Sequence, residues 1–511
     1  MALAGKSGYA GLVHNRRVFA IAIFASLGGL LYGAFSYNQG VFSGVLAMHS
    51  FDVRMKDAVD DAGKKGWLVA ILELGAWVGV LATGYLADKL SRKYTIVLAV
   101  VVFCIGVVVQ TAAFNPDPIF AGRFITGLGV GSLSMAVPLY NAEIAPPEVR
   151  GSLVGLQQLA ITFGIMISFW IDYGTNFIGG TREGQLEAAW RIPLGLQLIP
   201  AVILGVGILF MPFSPRWLVN QGRDEEALAI LSQARNLPPD SELVRIEFLE
   251  IKAQYLFEKE TAEINFPQYQ DGSFSSNFKL GFYDYLSLMK SRTGINAILY
   301  YAPSIFKELS LTDNSVSLLA TGVVGIAMFI ATIPAILWVD QLGRKPVLIS
   351  GAFLMAACHF IVAILSGLYR DSWAGHSAAG WAACVLVWLF AVEKLRTDVY
   401  AKMNNFIVGQ VTPSMLEHIT YGTFIFFGAF SLAGGLFIWW FVPETKGLTL
   451  EEMDIVFGAT EGLAAADQVR QEAILRRLGL IDDGVVEKKS DEETGSRNAS
   501  QEHDEKVETT A

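Results

Sequence analysis

Charge is scarce in this chain. Asp, Glu, Lys and Arg make up 17% of 511 residues, against roughly 25% in soluble domains. Hydrophobic residues reach 53% instead, which excludes an ordinary soluble domain. Cysteine is scarce as well. Cys104, Cys358 and Cys384 each sit in an apolar stretch, show neither a disulfide framework nor a metal-ligand spacing, and read as small buried hydrophobes. No metal or cofactor is expected. No basic patch is present, so nucleic acid is not an expected partner. No small-residue cleavage site follows the first apolar run near Val18, which therefore reads as a retained helix and not a signal peptide.

What is there is a series of long apolar runs. A bilayer-crossing helix needs about 20 mostly apolar residues. The runs from Tyr94, Ile192 and Tyr421 meet that length, and spans are expected near Val18, Gly66, Tyr94, Ile119, Gly151, Ile192, Val316, Pro346, Met403 and Tyr421. Two more are fragments, Thr293 to Phe306 and Ala378 to Val392. Arg16, Arg17, Lys89, Arg92, Lys93, Arg150, Arg344 and Lys345 fall in short loops on one side. The excess of cations on cytoplasmic loops then places both termini inside, provided each fragment occupies a span position.

The net charge of −10 lies largely in the tail. From Ala459 onward there are 13 acidic and 7 basic residues and no long apolar run, the composition of a disordered segment. Between Ser214 and Arg292 lies a polar insert. Its "RDEEALAILSQA" and "SELVRIEFLEIKAQYLFEKE" carry apolar residues at helical spacing, so they predict short amphipathic helices on the cytoplasmic surface. The insert has no catalytic cluster, and an enzyme is not expected.

One segment repeats. "ADKLSRKYTIVL" (Ala87 to Leu98) and "VDQLGRKPVLIS" (Val339 to Ser350) share Asp-x-Leu-x-Arg-Lys, each between two apolar runs. Such symmetry marks a transporter built from two related halves with its site at their interface. Asp88 and Asp340 are candidates to pair with nearby cations in one state, contacts that break as the halves rock, and Arg92 and Arg344 belong to the same candidate charge network.

From Arg17 to Asp454 the chain resembles the sugar porter family of the major facilitator superfamily, its fungal hexose carriers in particular. The resemblance rests on "GGLLYG…YNQGVFSG", "GYLADKLSRK", "GRFITGLGVGSLSMAVPLYNAEIAPPEVRG", "QQLAITFG", "SPRWL", "TGINAILYYAPSIF", "DQLGRK", "NNFIVGQVTP" and "VPETKGLTLEEMD", in family order. It implies an all-α polytopic membrane protein: two six-helix bundles, about 12 spans, alternating access, and a monosaccharide as small-molecule partner. Gln158, Asn296 and Asn405 match family sugar ligands, with Gln157 and Tyr300 beside them. Neutral amides that both donate and accept suit sugar hydroxyls and cost less to bury than charges. Arg123, Glu143, Arg150 and Glu444 match family residues of the cytoplasmic charge networks that close the gate.

The pattern breaks in three places. Before "TGINAILYY" the family carries an apolar lead-in and a Gln-Gln pair; here Lys290 and Ser291 stand there, and about 20 residues, one span's worth, have no counterpart. After "VWLFAV", "EKLRTDVYAK" replaces a Gly-Pro-x-x-Trp stretch and its cytoplasmic motif, so the seventh and tenth spans are expected to be truncated. Ala34, Phe35 and Ser36 interrupt the first-span motif, and three extra residues rotate the helix beyond them by about 300°. A mis-drawn gene model would explain all three.

Proton-driven relatives usually carry an Asp where this chain has Asn38. Asn cannot take up a proton, which argues against the usual coupling site and toward facilitated diffusion; proton symport stays open, with Glu73 and Asp172 as alternative proton sites. The expected organisation is a cytoplasmic N-terminus (1–17), an N-terminal six-helix bundle (18–212), a cytoplasmic linker (213–292), an incomplete C-terminal bundle (293–442) and an acidic, mostly disordered tail (443–511). The expected location is the plasma membrane. The competing readings are a transporter-like sugar sensor and a non-functional product of a misassembled gene model.

Overall fold

The computed structural model describes residues 40–144, 147–235, 237–265, 301, 303, 314–342, 344–369, 402–441 and 461–480. Among these, all regular structure is helical. After helical residues 40–45, the chain forms α1 (His49–Arg54), α2 (Lys56–Val59), α3 (Ala62–Leu90), α4 (Arg92–Thr111), α5 (Pro116–Ile144), α6 (Pro147–Thr175), α7 (Ala188–Leu196) and α8 (Leu198–Ile208). Then come α9 (Pro215–Asn220), α10 (Asp224–Arg235), α11 (Glu242–Asn265), α12 (Asn314–Leu342), α13 (Arg344–Tyr369), α14 (Lys402–His418), α15 (Tyr421–Phe441) and α16 (Glu461–Arg477).

Seven helical stretches among the described residues are long and apolar enough to cross a membrane: α3, α4, α5, Ala188–Ile208, Ser315–Ile333, Ile349–Tyr369 and Tyr421–Trp440. They coincide with seven of the expected spans. The run expected from Gly151 lies in α6, whose apolar part is the shorter Leu159–Thr175. The run from Met403 lies in the 17-residue α14. The Val18 run, the 34–36 insertion, and all but residues 301 and 303 of the two fragments lie outside the described residues.

Local chemistry sets the helix boundaries. The Asp61 carboxylate accepts from the amides of Gly63 at 2.7 Å and Lys64 at 3.2 Å and caps α3, satisfying donors that a helix start leaves open. Ser91 caps α4 through the Tyr94 amide at 3.3 Å.

The α3–α5 and α4–α5 contacts are built on glycine. A Cβ on Gly127 or Gly131 would collide with the carbonyls of Leu72 or Ala76, and one on Gly75 or Gly79 with those of Phe124 or Leu128. On the other side of α5, a Cβ at Gly129 would lie 2.7 Å from the Phe103 nitrogen. In a membrane, where lipid competes with any apolar contact, small residues let backbones approach and gain dispersion contacts. Around this joint Leu72, Phe103, Val107, Val130, Leu133 and Leu204 make one buried cluster. A second cluster draws on both halves of the chain, joining Phe42, Phe51, Ile161 and Trp190 to Val324, Met355 and Phe424. Phe51 stands edge-on to Phe42 at 5.8 Å and to Trp190 at 5.5 Å.

Outward faces are also apolar. Val101, Ile105 and Val108 on α4 and Ile361, Ile364 and Leu368 on α13 are exposed at spacings of one turn. Such stripes suit lipid and not water.

The chain divides into two compact units, Met1–Ser214 with Gly272–Gly447, and Pro215–Asp271 with Leu448–Ala511. The second unit contains the amphipathic helices expected from the polar insert. It buries Leu218, Leu231, Val244 and Phe248, and pairs Arg235 with Glu247 at 2.8 Å and Arg216 with Glu258. Within the acidic tail α16 is helical, and Arg470 donates to the Thr261 hydroxyl of α11 at 3.2 Å.

Candidate functional site

The break between α3 and α4 gathers charge. Arg92 Nη1 donates to Asp88 Oδ1 at 3.0 Å and to the Ala87 carbonyl at 3.1 Å. Its Nε lies 3.0 Å from Glu143 Oε2 at the end of α5, and Glu143 also accepts from the Ser214 hydroxyl. The Arg92 and Glu143 side chains are 9% and 4% exposed, while Asp88 is 65% exposed. The energetic weight therefore falls on Arg92–Glu143, because water screens the Asp88 contact. Lys93 donates to the carbonyls of Leu209 and Met211 beyond the end of α8, and Tyr140 donates to that of Pro212 at 2.7 Å. Ends of α3, α4, α5 and α8 are thus tied together by one polar cluster. Ser214 is a member that sequence reasoning missed, although it opens the "SPRWL" motif.

Ser91 at this break has φ 84° and ψ 155°, a region that L side chains occupy at a cost. In the second copy of the motif Asp340 lies near the end of α12 and Arg344 opens α13. Their side chains, and that of Arg150 on α6, lie outside the described residues, as does Glu444.

Deeper in, Arg123 is fully buried on α5. Its guanidinium carbon lies 3.7 Å from the centroid of the Phe42 ring, and Nη2 donates to the Val69 carbonyl at 3.2 Å. Glu73, one turn along α3 from Val69, is also fully buried. The cation is accommodated where an isolated charge would be costly.

Two helix pairs join the halves. On α6 and α12, the Thr332 hydroxyl donates to Thr162 Oγ1 at 3.1 Å. On α3 and α14, Gln410 Nε2 donates to the Gly63 carbonyl at 3.3 Å, and Gly66 leaves no room for a Cβ against the Gln410 backbone. The Tyr301 hydroxyl donates to the Gly409 carbonyl at 2.7 Å. These contacts adjoin the amides expected to bind sugar. Gln158 lies one turn before Thr162, and Asn405 one turn before Gly409. Gln157 is buried. The side chains of Gln158 and Asn405, and the whole of Asn296 and Tyr300, lie outside the described residues. Asp172, near the end of α6, is fully buried.

Two halves joined at polar, close-packed helix pairs, with a charge cluster at the helix ends, are the parts of a rocking transporter. A family model described as "Sugar (and other) transporter" matches residues 21–393 and 398–457. The chain is a sugar porter of the major facilitator superfamily. A quinate permease of Neurospora africana is 33% identical over 490 residues, 87% of this chain and 89% of that protein. The high-affinity glucose transporter of Kluyveromyces lactis is 30% identical, with 86% and 85% covered. Among solved structures, the partially occluded inward-open xylose transporter XylE from E. coli superposes with a TM-score of 0.66 at 26% identity, covering 84% of this chain and 99% of that one. The proton:xylose symporter XylE bound to 6-bromo-6-deoxy-D-glucose gives 0.64 at 27% identity, covering 86% and 98%. Two related halves account for the paired Asp-x-Leu-x-Arg-Lys motifs.

Proposed function

We propose that this sugar porter carries a monosaccharide, a hexose such as glucose, across the plasma membrane by alternating access, with both termini in the cytoplasm. One observation carries the reading: Gln158 and Asn405 lie one turn from Thr162 and Gly409, at contacts where the two halves meet or the second half closes on itself. Amides at that place would be exchanged between sugar hydroxyls and water as the halves rock. Gln158, Asn296 and Asn405 are assigned as the principal ligands, with Gln157 and Tyr300 adjoining. Arg92, Glu143 and Asp88 are assigned to the cytoplasmic gate, together with Arg150, Asp340, Arg344 and Glu444. Arg123 is assigned as the buried brace of the first half.

Uptake of radiolabelled glucose by hexose-transporter-null yeast expressing this chain tests the reading. Saturable uptake competed by other hexoses supports it. Surface expression with no uptake of any monosaccharide removes it, and leaves a sensor or an inactive product. A second reading, transport of a polyhydroxy acid, is favoured by the likeness to the Neurospora africana permease. Quinate uptake that hexoses do not compete would establish that reading instead.

A further inference from the structure

Asp172 is a carboxylate that the charge cluster at the helix ends does not use. It is fully buried in α6, and neither of its side-chain oxygens has a hydrogen-bond partner among the described residues. The segment packed on it is Gly40-x-x-x-Gly44. A Cβ at Gly44 would lie 2.6 Å from the Asp172 carboxyl carbon, and one at Gly40 would collide with the Ser168 hydroxyl one turn earlier. The two glycines therefore bring the 40–48 backbone onto the Ser168-x-x-x-Asp172 face with no room for water between.

Among the described residues, few groups of opposite charge stand near. Residues 40–48 contain no ionisable side chain. Among the elements packed on α6, α12 has only Asp340, at its far end, and α7 only Arg191. Arg191 is engaged by Glu187 and by the carbonyls of Thr111 and Ala113. On α5 the charges are Asp117, Arg123 and Glu143, of which Arg123 and Glu143 hold other partners. On α6 itself Glu148 and Arg150 lie at the opposite end, and Tyr173 is the neighbour in sequence.

We propose that Asp172 is a proton-carrying group of this transporter, and that its protonation is coupled to closure of residues 40–48 against α6. The inference rests on the transport reading and deepens it to symport. A dry, unpartnered carboxylate ion is costly, and a neutral carboxylic acid avoids most of that cost. The Gly44 contact admits the acid. The ion needs water, and water needs the two helices apart. In each cycle the carboxylate takes one proton from the outer medium to become the acid, the helices close, and on the inner side the acid gives up that proton and is again a carboxylate. No electron transfer is involved.

The test uses the purified full chain in liposomes, with radiolabelled glucose as probe. At one proton per sugar, a gradient of about one pH unit sustains roughly tenfold accumulation. The wild type is expected to reach it and to alkalinise the outer medium when sugar is added. Asp172→Asn, which holds a neutral group of the same shape, is expected to lose accumulation and pH dependence alike, and to be left with equilibrative exchange. Accumulation by Asp172→Asn equal to the wild type overturns the proposal. So does wild-type counterflow without proton movement, a result that leaves the transport reading standing. Absence of wild-type counterflow with glucose, and with quinate in its place, removes the transport reading and this inference with it. Should Asp172→Asn not fold, Gly44→Ala takes its place: a Cβ there holds residues 40–48 off Asp172 and is expected to shift the pH dependence of accumulation, and a profile equal to the wild type overturns the proposal.

Discussion

Arg92 and Glu143 meet in a nearly dry place, 3.0 Å apart with 9% and 4% of their side chains exposed. They come from helices whose ends the chain separates by a full hairpin, and they hold the α3–α4 break against the end of α5. Removing one partner of such a pair strands the other charge, at a cost of about 3–5 kcal/mol. Arg92→Ala is therefore expected to lower the thermal unfolding midpoint in detergent sharply. Arg92→Met combined with Glu143→Gln should recover a large part of the loss. A single variant as stable as the wild type would contradict the buried pairing.

Ser91 offers the opposite experiment. Its backbone has φ 84° and ψ 155°, and the matching position of the second motif is Gly343. Relief of that strain is worth roughly 1–3 kcal/mol, while replacing a Ser cap by Gly costs only a few tenths of a kcal/mol. Ser91→Gly is expected to raise the unfolding midpoint. A lowered midpoint would show that the hydroxyl matters more than the dihedral.

Glycines in this protein are not equivalent. Gly131 has the Ala76 backbone where its Cβ would go, and Gly434 has nothing within 4 Å. Gly131→Leu is expected to abolish a monodisperse peak in detergent. Gly434→Ala should be neutral or stabilise α15 by about 0.5–1 kcal/mol, through reduced chain freedom in the unfolded state. Equal behaviour of the two variants would refute the close α3–α5 contact.

Tyr301 belongs to the motif that carries Asn296, and its hydroxyl holds the Gly409 carbonyl at 2.7 Å. Tyr301→Phe keeps the ring and loses one hydrogen bond, so a loss of about 0.5–1.5 kcal/mol is expected. Tyr301→Ala also empties a buried aromatic site and should cost about 3–5 kcal/mol. The two unfolding midpoints, measured side by side, check the split.

Legibility in the sequence depends on range. Helix positions follow from apolar run length, which is local, and the runs at Tyr94, Ile192 and Tyr421 are where the helices stand. Asp88 with Arg92 is legible because the two are four residues apart. Glu143 as the buried partner is not, since its distance from Arg92 is set by the α4–α5 packing. Asp172 stands out as a charge in an apolar run, but the glycines that seal it lie more than a hundred residues earlier. The charge of the tail predicts disorder over most of it, yet α16 alternates enough apolar residues, Ile474 among them, to pack as a helix.

The glycine joint of α5 also limits where this protein can bend. Main chains in direct contact offer no rotamers to rearrange, and packed interiors deform little before they switch. Helices α3, α4 and α5 must then swing as a single rigid plate. Rocking must then act at the pairs that join the halves, where a fastening such as the hydroxyl bond between Thr162 and Thr332 can be broken in a cycle at about the energy of thermal agitation.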